Sequence, residues 1–266
     1  MYMHDLSIAV FSFSGHQHLL PYCLRSIYKN APACREIILV WDDYIDWYPI
    51  DFDRLRRATK VDFRLVPQSS ISEWPDSIIR WGWIKQQLAK LHCTEYSTTQ
   101  NTWIVDGDVL ITGDPELFVD HDPVLRYDAD LVVPPCYKPF MQRYLGIDDF
   151  NANTYVGSTG LFDHDICRVL ESLCRSRSGM NLVAAVDHMI TSGSHADLPF
   201  SEFECYGHVA RHSSRCKIKS HNWNYVESKQ PDWSLPIQIA WAQEGDNLDI
   251  RYKNLMRHTH PETVDH

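Results

Sequence analysis

Trp103-Ile104-Val105-Asp106-Gly107-Asp108-Val109-Leu110-Ile111 is the stretch on which the fold turns. It opens on bulky and β-branched apolar residues, the composition of a strand buried on both faces. It then presents two carboxylates two residues apart, with a glycine between them. Glycine lets a chain turn sharply and come close to a ligand. Carboxylate oxygens are hard ligands suited to Mg²⁺ or Mn²⁺, ions that keep open positions for phosphate oxygens. Asp106 and Asp108 are therefore candidate metal ligands. An isolated Asp-Gly-Asp more often marks a simple turn, so its placement in the fold decides between the two readings.

The flanking segments supply that placement. Leu6-Ser-Ile-Ala-Val-Phe-Ser-Phe13 reads as a first strand, and Leu20, Cys23, Leu24, Ile27 and Tyr28 recur with helical spacing after it. Glu36 to Trp41 is a second strand ending at Asp42-Asp43, and Val61 to Val66 a third. A helix is expected from Asp76 to His92, with Ile78, Trp81, Ile84, Leu88 and Leu91 on one face. Thr102 to Val105 is a fourth strand and Asp130 to Val133 a fifth. Strands alternating with helices imply an α/β fold with a mostly parallel central sheet covered on both faces. In such sheets ligands sit beyond the carboxyl ends of the strands. That singles out Phe13-Ser14, Asp42-Asp43 and Asp106-Gly107-Asp108. The second half reads as helices around 166–174 and 181–190, then loops and short strands from Asp197, including Ile237 to Trp241. No linker or repeat divides the chain, and one domain spanning 1–266 is expected.

Composition bounds the function. The chain has 266 residues with 25 Lys+Arg against 35 Asp+Glu, a net charge of −10 that argues against a general polyanion binder. At 44% hydrophobic and 23% charged it is an ordinary soluble composition, and no apolar run is long enough to cross a bilayer. The start, Met1-Tyr-Met-His-Asp5, lacks the basic and apolar pattern of a secretory leader. Eight Cys occur without a CxxC pair or a zinc spacing, so reduced thiols and a cytoplasmic setting are expected. The charge is unevenly placed. Asp106 to Asp130 holds eight acids and one base, Arg126, whereas Cys205 to Val226 has no acid and carries Arg211, Arg215, Lys217 and Lys219. An acidic metal edge facing a basic segment would suit a metal-bound nucleoside diphosphate, and a solvated basic loop explains the second stretch equally well.

Leu6–Phe13, Ile37–Asp43, the helix Trp81-Gly-Trp-Ile-Lys-Gln-Gln-Leu-Ala-Lys-Leu91 and the Asp-Gly-Asp strand together resemble the nucleotide-binding half of GT-A-fold glycosyltransferases. With Ser201-Glu-Phe-Glu-Cys-Tyr-Gly207 they resemble a little-characterised bacterial and phage family of that type. The resemblance implies a nucleotide-sugar-binding half at 1–134 and an acceptor-side catalytic half at 135–266. It implies Mg²⁺- or Mn²⁺-dependent transfer of a hexosyl or pentosyl group from a nucleoside diphosphate sugar, with UDP the expected nucleotide. Asp106 and Asp108 then hold the metal, with His221 as third ligand and His258 and His260 in competition. Donor-binding candidates are Phe13, Asp42, Asp43, Lys85, Asp106 and Lys219. Glu202 is the preferred catalytic base, with Glu204 beside it and Asp187 as an alternative acid near the sugar. Glu202 and Glu204 would share a face in a strand but not in a helix. Trp74, Trp81, Trp83 and Trp223 flank these segments and are candidates for stacking on a sugar. The expected acceptor is a hydroxyl on a glycan, with hydroxymethylated phage DNA the less favoured case, for which Arg54-Leu-Arg-Arg57 is a further basic cluster.

Two other classes fit parts of the pattern. A phosphohydrolase of the haloacid-dehalogenase type also places Asp-x-Asp after an apolar strand, and Gly245-Asp246-Asn-Leu-Asp249 resembles its later acidic motif. It wants a hydroxyl four residues after the first Asp, where this chain has Leu110. A non-catalytic nucleotide-sugar-binding module would keep the fold without the transfer.

Overall fold

Alternation along the first strand sets the layers. In the computed structural model, which describes residues 6–12, 19–31, 34–44, 51–80, 82–157, 159–193, 200–221, 224–225 and 237–239, every residue of β1 (Leu6–Ser12) is buried. Leu6, Ile8 and Val10 point to one face of the sheet, while Ala9 and Phe11 point to the other. The first face packs on α1 (Leu20–Asn30) through Leu20, Cys23, Leu24 and Ile27, and on α2 (Phe52–Thr59) through Leu55. Pro21 opens α1 where no backbone donor is needed, and Asp51 caps α2 by accepting from the Arg54 amide.

Four strands run parallel: β2 (Glu36–Trp41) and β3 (Arg64–Pro67) lie to one side of β1, and β4 (Asn101–Asp106) to the other. The sheet order is β3-β2-β1-β4-β8, with β8 (Thr159–Asp163) antiparallel to β4 at the edge. The chain steps outward from β1 to β3, then crosses back to lay β4 against β1. That reversal makes the carboxyl ends of β1 and β4 the switch point where α/β sheets open a ligand crevice.

The helices between and after these strands begin with α3 (Asp76–Arg80) and α4 (Gly82–His92), which lie within the expected helix 76–92; residue 81 is outside the described residues. After β4 come β5 (Val109–Ile111), β6 (Phe118–Val119), β7 (Asp122–Asp128) and the short α5 (Lys138–Phe140), which runs into a π-helical turn at Met141–Leu145. Then follow α6 (His164–Ser178), α7 (Leu182–Thr191) and α8 (Glu202–Ala210). Asp163, Asn181 and Ser201 cap these three helices through their side chains. Ile84, Leu88, Leu91, Ile166, Leu170, Val186 and Phe203 build the core on the second face of the sheet. β9 (Lys217–His221) pairs parallel with β7, and β10 (Asn224–Tyr225) and β11 (Ile237–Ile239) form a small sheet with β5.

Three expectations are corrected. Asp130 to Val133 is not a strand. Only Val132 bridges, to Asn153, and Leu131 and Val132 are 47% and 71% exposed, so that segment lacks the two-sided burial a central strand needs. The third strand begins at Arg64 rather than Val61. The region after Asp197 contains a helix, α8, whose residues are almost all buried, where loops and short strands were expected.

Candidate active site

Asp106 is the last residue of β4, and Asp108 follows it across a tight turn into β5. Gly107 is required there by close packing. Its amide donates to the Phe11 carbonyl at 2.7 Å, and a Cβ at this position would sit 2.9 Å from that oxygen and 2.9 Å from the Ser12 hydroxyl. The glycines with left-handed φ are Gly146, Gly179 and Gly193, so neighbouring atoms, not backbone conformation, exclude a side chain at 107. The turn is thus pressed onto the end of β1. Ser12 Oγ is buried beside it and has no hydrogen-bond partner among the described residues.

Three elements converge on Asp106. Lys90 of α4, 2% exposed, places its ammonium 2.9 Å from Asp106 Oδ1 and 3.0 Å from Glu202 Oε1 of α8. The contact with Oδ1 is close but poorly directed for a hydrogen bond, so charge holds it more than direction. The Phe203 ring lies 5.1 Å from the same ammonium. The Gln87 amide, oriented with its nitrogen toward Glu202, donates to that carboxylate. Burial alone would lower the pKa of Lys90, but Asp106 and Glu202 hold it above its ordinary value. Burial pushes the Glu202 carboxyl up to about 7 against the pull of Lys90, with Asp106 adding to the rise. Burial and then the neighbouring Asp106 carboxylate push Asp108 up to about 7 as well.

A divalent cation suits this donor set. Two hard carboxylates sit close enough to repel, and a bound ion would relieve that repulsion. Among the described residues no third His, Cys or acidic side chain joins them in a preformed cluster. His221 stands opposite Asp128 in the β7–β9 register, and its side chain lies outside the described residues. His258 and His260 lie outside them too.

The other expected residues fall in several places. Phe13, Trp81 and Trp223 lie outside the described residues, as does the 245–249 motif. Asp42 directly follows β2 and pairs with Lys85 at 2.7 Å, the lysine being 1% exposed. Lys85 also lies 4.1 Å from the centre of the half-exposed Tyr44 ring. Asp43 accepts from the Ser69 amide at 2.9 Å and from its hydroxyl. Trp74 is buried and donates to the Gln68 carbonyl at 3.0 Å, while Trp83 is 38% exposed.

Glu202 and Glu204 are on a helix and point apart. Glu202 faces Lys90, whereas Glu204 accepts from Thr154 and lies 3.4 Å from His208. Both are 0% exposed. Asp187 accepts from the Ser77 hydroxyl and keeps partial exposure. The basic stretch is largely neutralised: Arg211 pairs with Asp149 (2.7 Å), Arg215 with Asp163 (3.0 Å) and Asp165 (3.1 Å), Lys217 with Asp122 (3.1 Å) and Lys219 with Glu116 (3.6 Å). Lys90, Gln87 and Ser12 were missed from sequence. The available signal was a lysine set within Leu88-Ala89-Lys90-Leu91, an apolar run that buries whatever it carries.

No family model matches the sequence, and no curated protein matches it. Solved structures do resemble it. An active-site mutant of LgtC shares 11% identity over 95% of both chains with a TM-score of 0.54. The galactosyltransferase LgtC in complex with donor and acceptor sugar analogues shares 12% over 96% of both chains, with a TM-score of 0.53. The glycosyltransferase GlyE of Streptococcus pneumoniae TIGR4 shares 10% over 93% of this chain and 59% of its own, with a TM-score of 0.46. At such identities the likeness is one of fold, and the fold of this chain is the GT-A architecture of LgtC.

Proposed function

We propose that the protein is a glycosyltransferase that moves a sugar from a nucleoside diphosphate sugar, with UDP the favoured nucleotide, to a hydroxyl acceptor. The observation that carries this reading is the pair Asp106 and Asp108, crowded at the switch point of a sheet with GT-A topology. A Mn²⁺ or Mg²⁺ ion held by Asp106 and Asp108 would supply charge neutralisation to the departing diphosphate. His221 remains the proposed third ligand. The sheet edge at the carboxyl ends of β1 and β4, where Ser12 and Gly107 lie, is the proposed seat of the donor phosphates. Asp42, tied to Lys85, and Asp43 border the proposed nucleoside side.

Of the three acids put forward for the acceptor side, Glu202 and Glu204 are fully buried and engaged. Asp187 retains exposure and is the acid we assign to the sugar or acceptor. A glycan is the favoured acceptor, because the net charge of −10 disfavours DNA. The setting we propose is cytoplasmic, and all eight cysteines are unbonded. No helix among the described residues is long and apolar enough to cross a membrane.

The test is a thermal-shift panel of nucleotide sugars with and without Mn²⁺. A ligand that binds only the folded state raises its melting temperature. One nucleotide class is expected to stabilise the protein only when Mn²⁺ is present. The absence of any shift, or release of phosphate from phosphomonoesters with phosphorylation of Asp106, would overturn the proposal.

A further inference from the structure

Lys90 is enclosed on every described side: Asp106 from the end of β4, Glu202 and the Phe203 ring from α8, and Gln87 on its own helix behind Glu202. Enclosing an ammonium this fully is costly unless fixed counter-charges surround it. The arrangement also divides Asp106 in two. Oδ1 is buried against Lys90, yet the side chain as a whole is 21% exposed, so the exposure belongs to the rest of the side chain.

We propose that Lys90 is a positioning residue that pins Asp106 Oδ1 inward, so that Oδ2 alone faces the open edge of the sheet as a preset ligand for a divalent cation. Glu202 is the counter-charge that keeps Lys90 in place, a positioning role rather than that of a base. A carboxylate already fixed by a supporting partner loses less freedom when it takes up a metal ion. The proposal rests on reading Asp106 and Asp108 as the metal edge.

The experiment measures Mn²⁺ binding without any donor, by electron paramagnetic resonance, together with urea unfolding. It compares wild type, Lys90→Met, the double variant Lys90→Met/Glu202→Gln, and Asp108→Asn. Lys90→Met leaves two facing carboxylates and is expected to lose stability, while its added negative charge itself attracts Mn²⁺, so the positioning role is read from the charge-balanced double variant. The double variant removes the stranded charge on α8, so stability is expected to recover. Mn²⁺ affinity is expected to stay about 10–100-fold below wild type, because Oδ1 is still unpinned. Should the single variant fail to fold, the double variant decides alone. Wild-type Mn²⁺ affinity in the double variant would overturn the positioning role and leave the metal edge standing. Wild type that binds no Mn²⁺, or Asp108→Asn that binds it unchanged, would overturn the metal edge and the role of Lys90 with it.

Discussion

The two ends of the central sheet treat their acids, buried or partly buried, in opposite ways. At the amino end, Glu36 opens β2 and accepts from the Ser7 hydroxyl (2.9 Å), the Thr98 amide (2.7 Å), the Thr98 hydroxyl (2.9 Å) and Arg64 (3.0 Å). The Thr99 hydroxyl in turn donates to Ser7 at 2.8 Å. Burial alone would raise the Glu36 carboxyl, but those donors outweigh it and hold the pKa below its ordinary value. At the carboxyl end, Asp106 and Glu202 share one ammonium with Asp108 two residues on from Asp106, and burial pushes Asp108 and Glu202 up to about 7. The amino end satisfies its charge and gains stability from it. The carboxyl end keeps surplus negative charge against low-dielectric surroundings, an arrangement that a bound cation would relieve.

The contrast can be broken from either end. The largest effect is expected from Asp108→Asn. Loss of one metal carboxylate should cut metal-dependent donor turnover by roughly a thousandfold, equivalent to about 4 kcal/mol. Urea unfolding at pH 8 should show the same variant as stable as wild type or more so, because a repelling charge is gone. A destabilised Asp108→Asn would mean that the carboxyl end is satisfied like the amino end. Gly107→Ala forces a Cβ against the Phe11 carbonyl and Ser12, and is expected to cost about 1–3 kcal/mol in urea unfolding and to lower turnover with it. Glu36→Gln removes a charged acceptor from four donors, and its expected cost is about 1–2 kcal/mol with no change in Mn²⁺ binding. Mn²⁺ affinity that fell along with stability would show the two ends to be coupled.

The smallest signal is in the pH dependence. A carboxyl with a lowered folded pKa contributes stability above its unfolded value and loses it as pH falls through the folded one. Glu36 behaves this way, so its share of stability disappears in acid. A carboxyl with a raised folded pKa holds its proton longer in the folded state, so stability falls as pH rises from the unfolded value toward the folded one. Asp108 and Glu202 therefore erode stability between about pH 4 and pH 7, and the erosion is complete above that range. Unfolding curves across pH should steepen on the acid side in wild type relative to Glu36→Gln. On the neutral side they should flatten in Asp108→Asn.

The legible parts of the fold are those where local pattern and final environment agree. β1, β2 and β4 are apolar runs buried on both faces, and α1 repeats its apolar residues with helical spacing. α2 escaped because only Leu55 and Thr59 are buried in an octapeptide half of whose residues are charged. α8 escaped although Ser201 and Glu204 have the spacing of a helix-opening box, and Ser201 does accept from the Glu204 amide. In the site, the two aspartates are visible from sequence because strand and turn chemistry are local. The role of Lys90 is not, because its partners come from β4 and α8, which only the tertiary fold brings to α4. The charge asymmetry between 106–130 and 205–226 was real in sequence, but folding pairs most of its members with one another or with other acids.

Helix α4 ties down two strand ends at once. Lys85 is fastened to Asp42 after β2, and Lys90 to Asp106 at the end of β4, with β1 running between them. Five residues of helix advance about 7.5 Å, and two strand spacings cover about 9.5 Å, so one rigid segment spans the mouth of the crevice. Each helical residue also turns the side chain by about 100°. A single insertion or deletion between 85 and 90 would swing one lysine away from its carboxylate while leaving the helix intact. The length of that segment is therefore fixed more tightly than its sequence, and homologues that keep both lysines are expected to keep four residues between them.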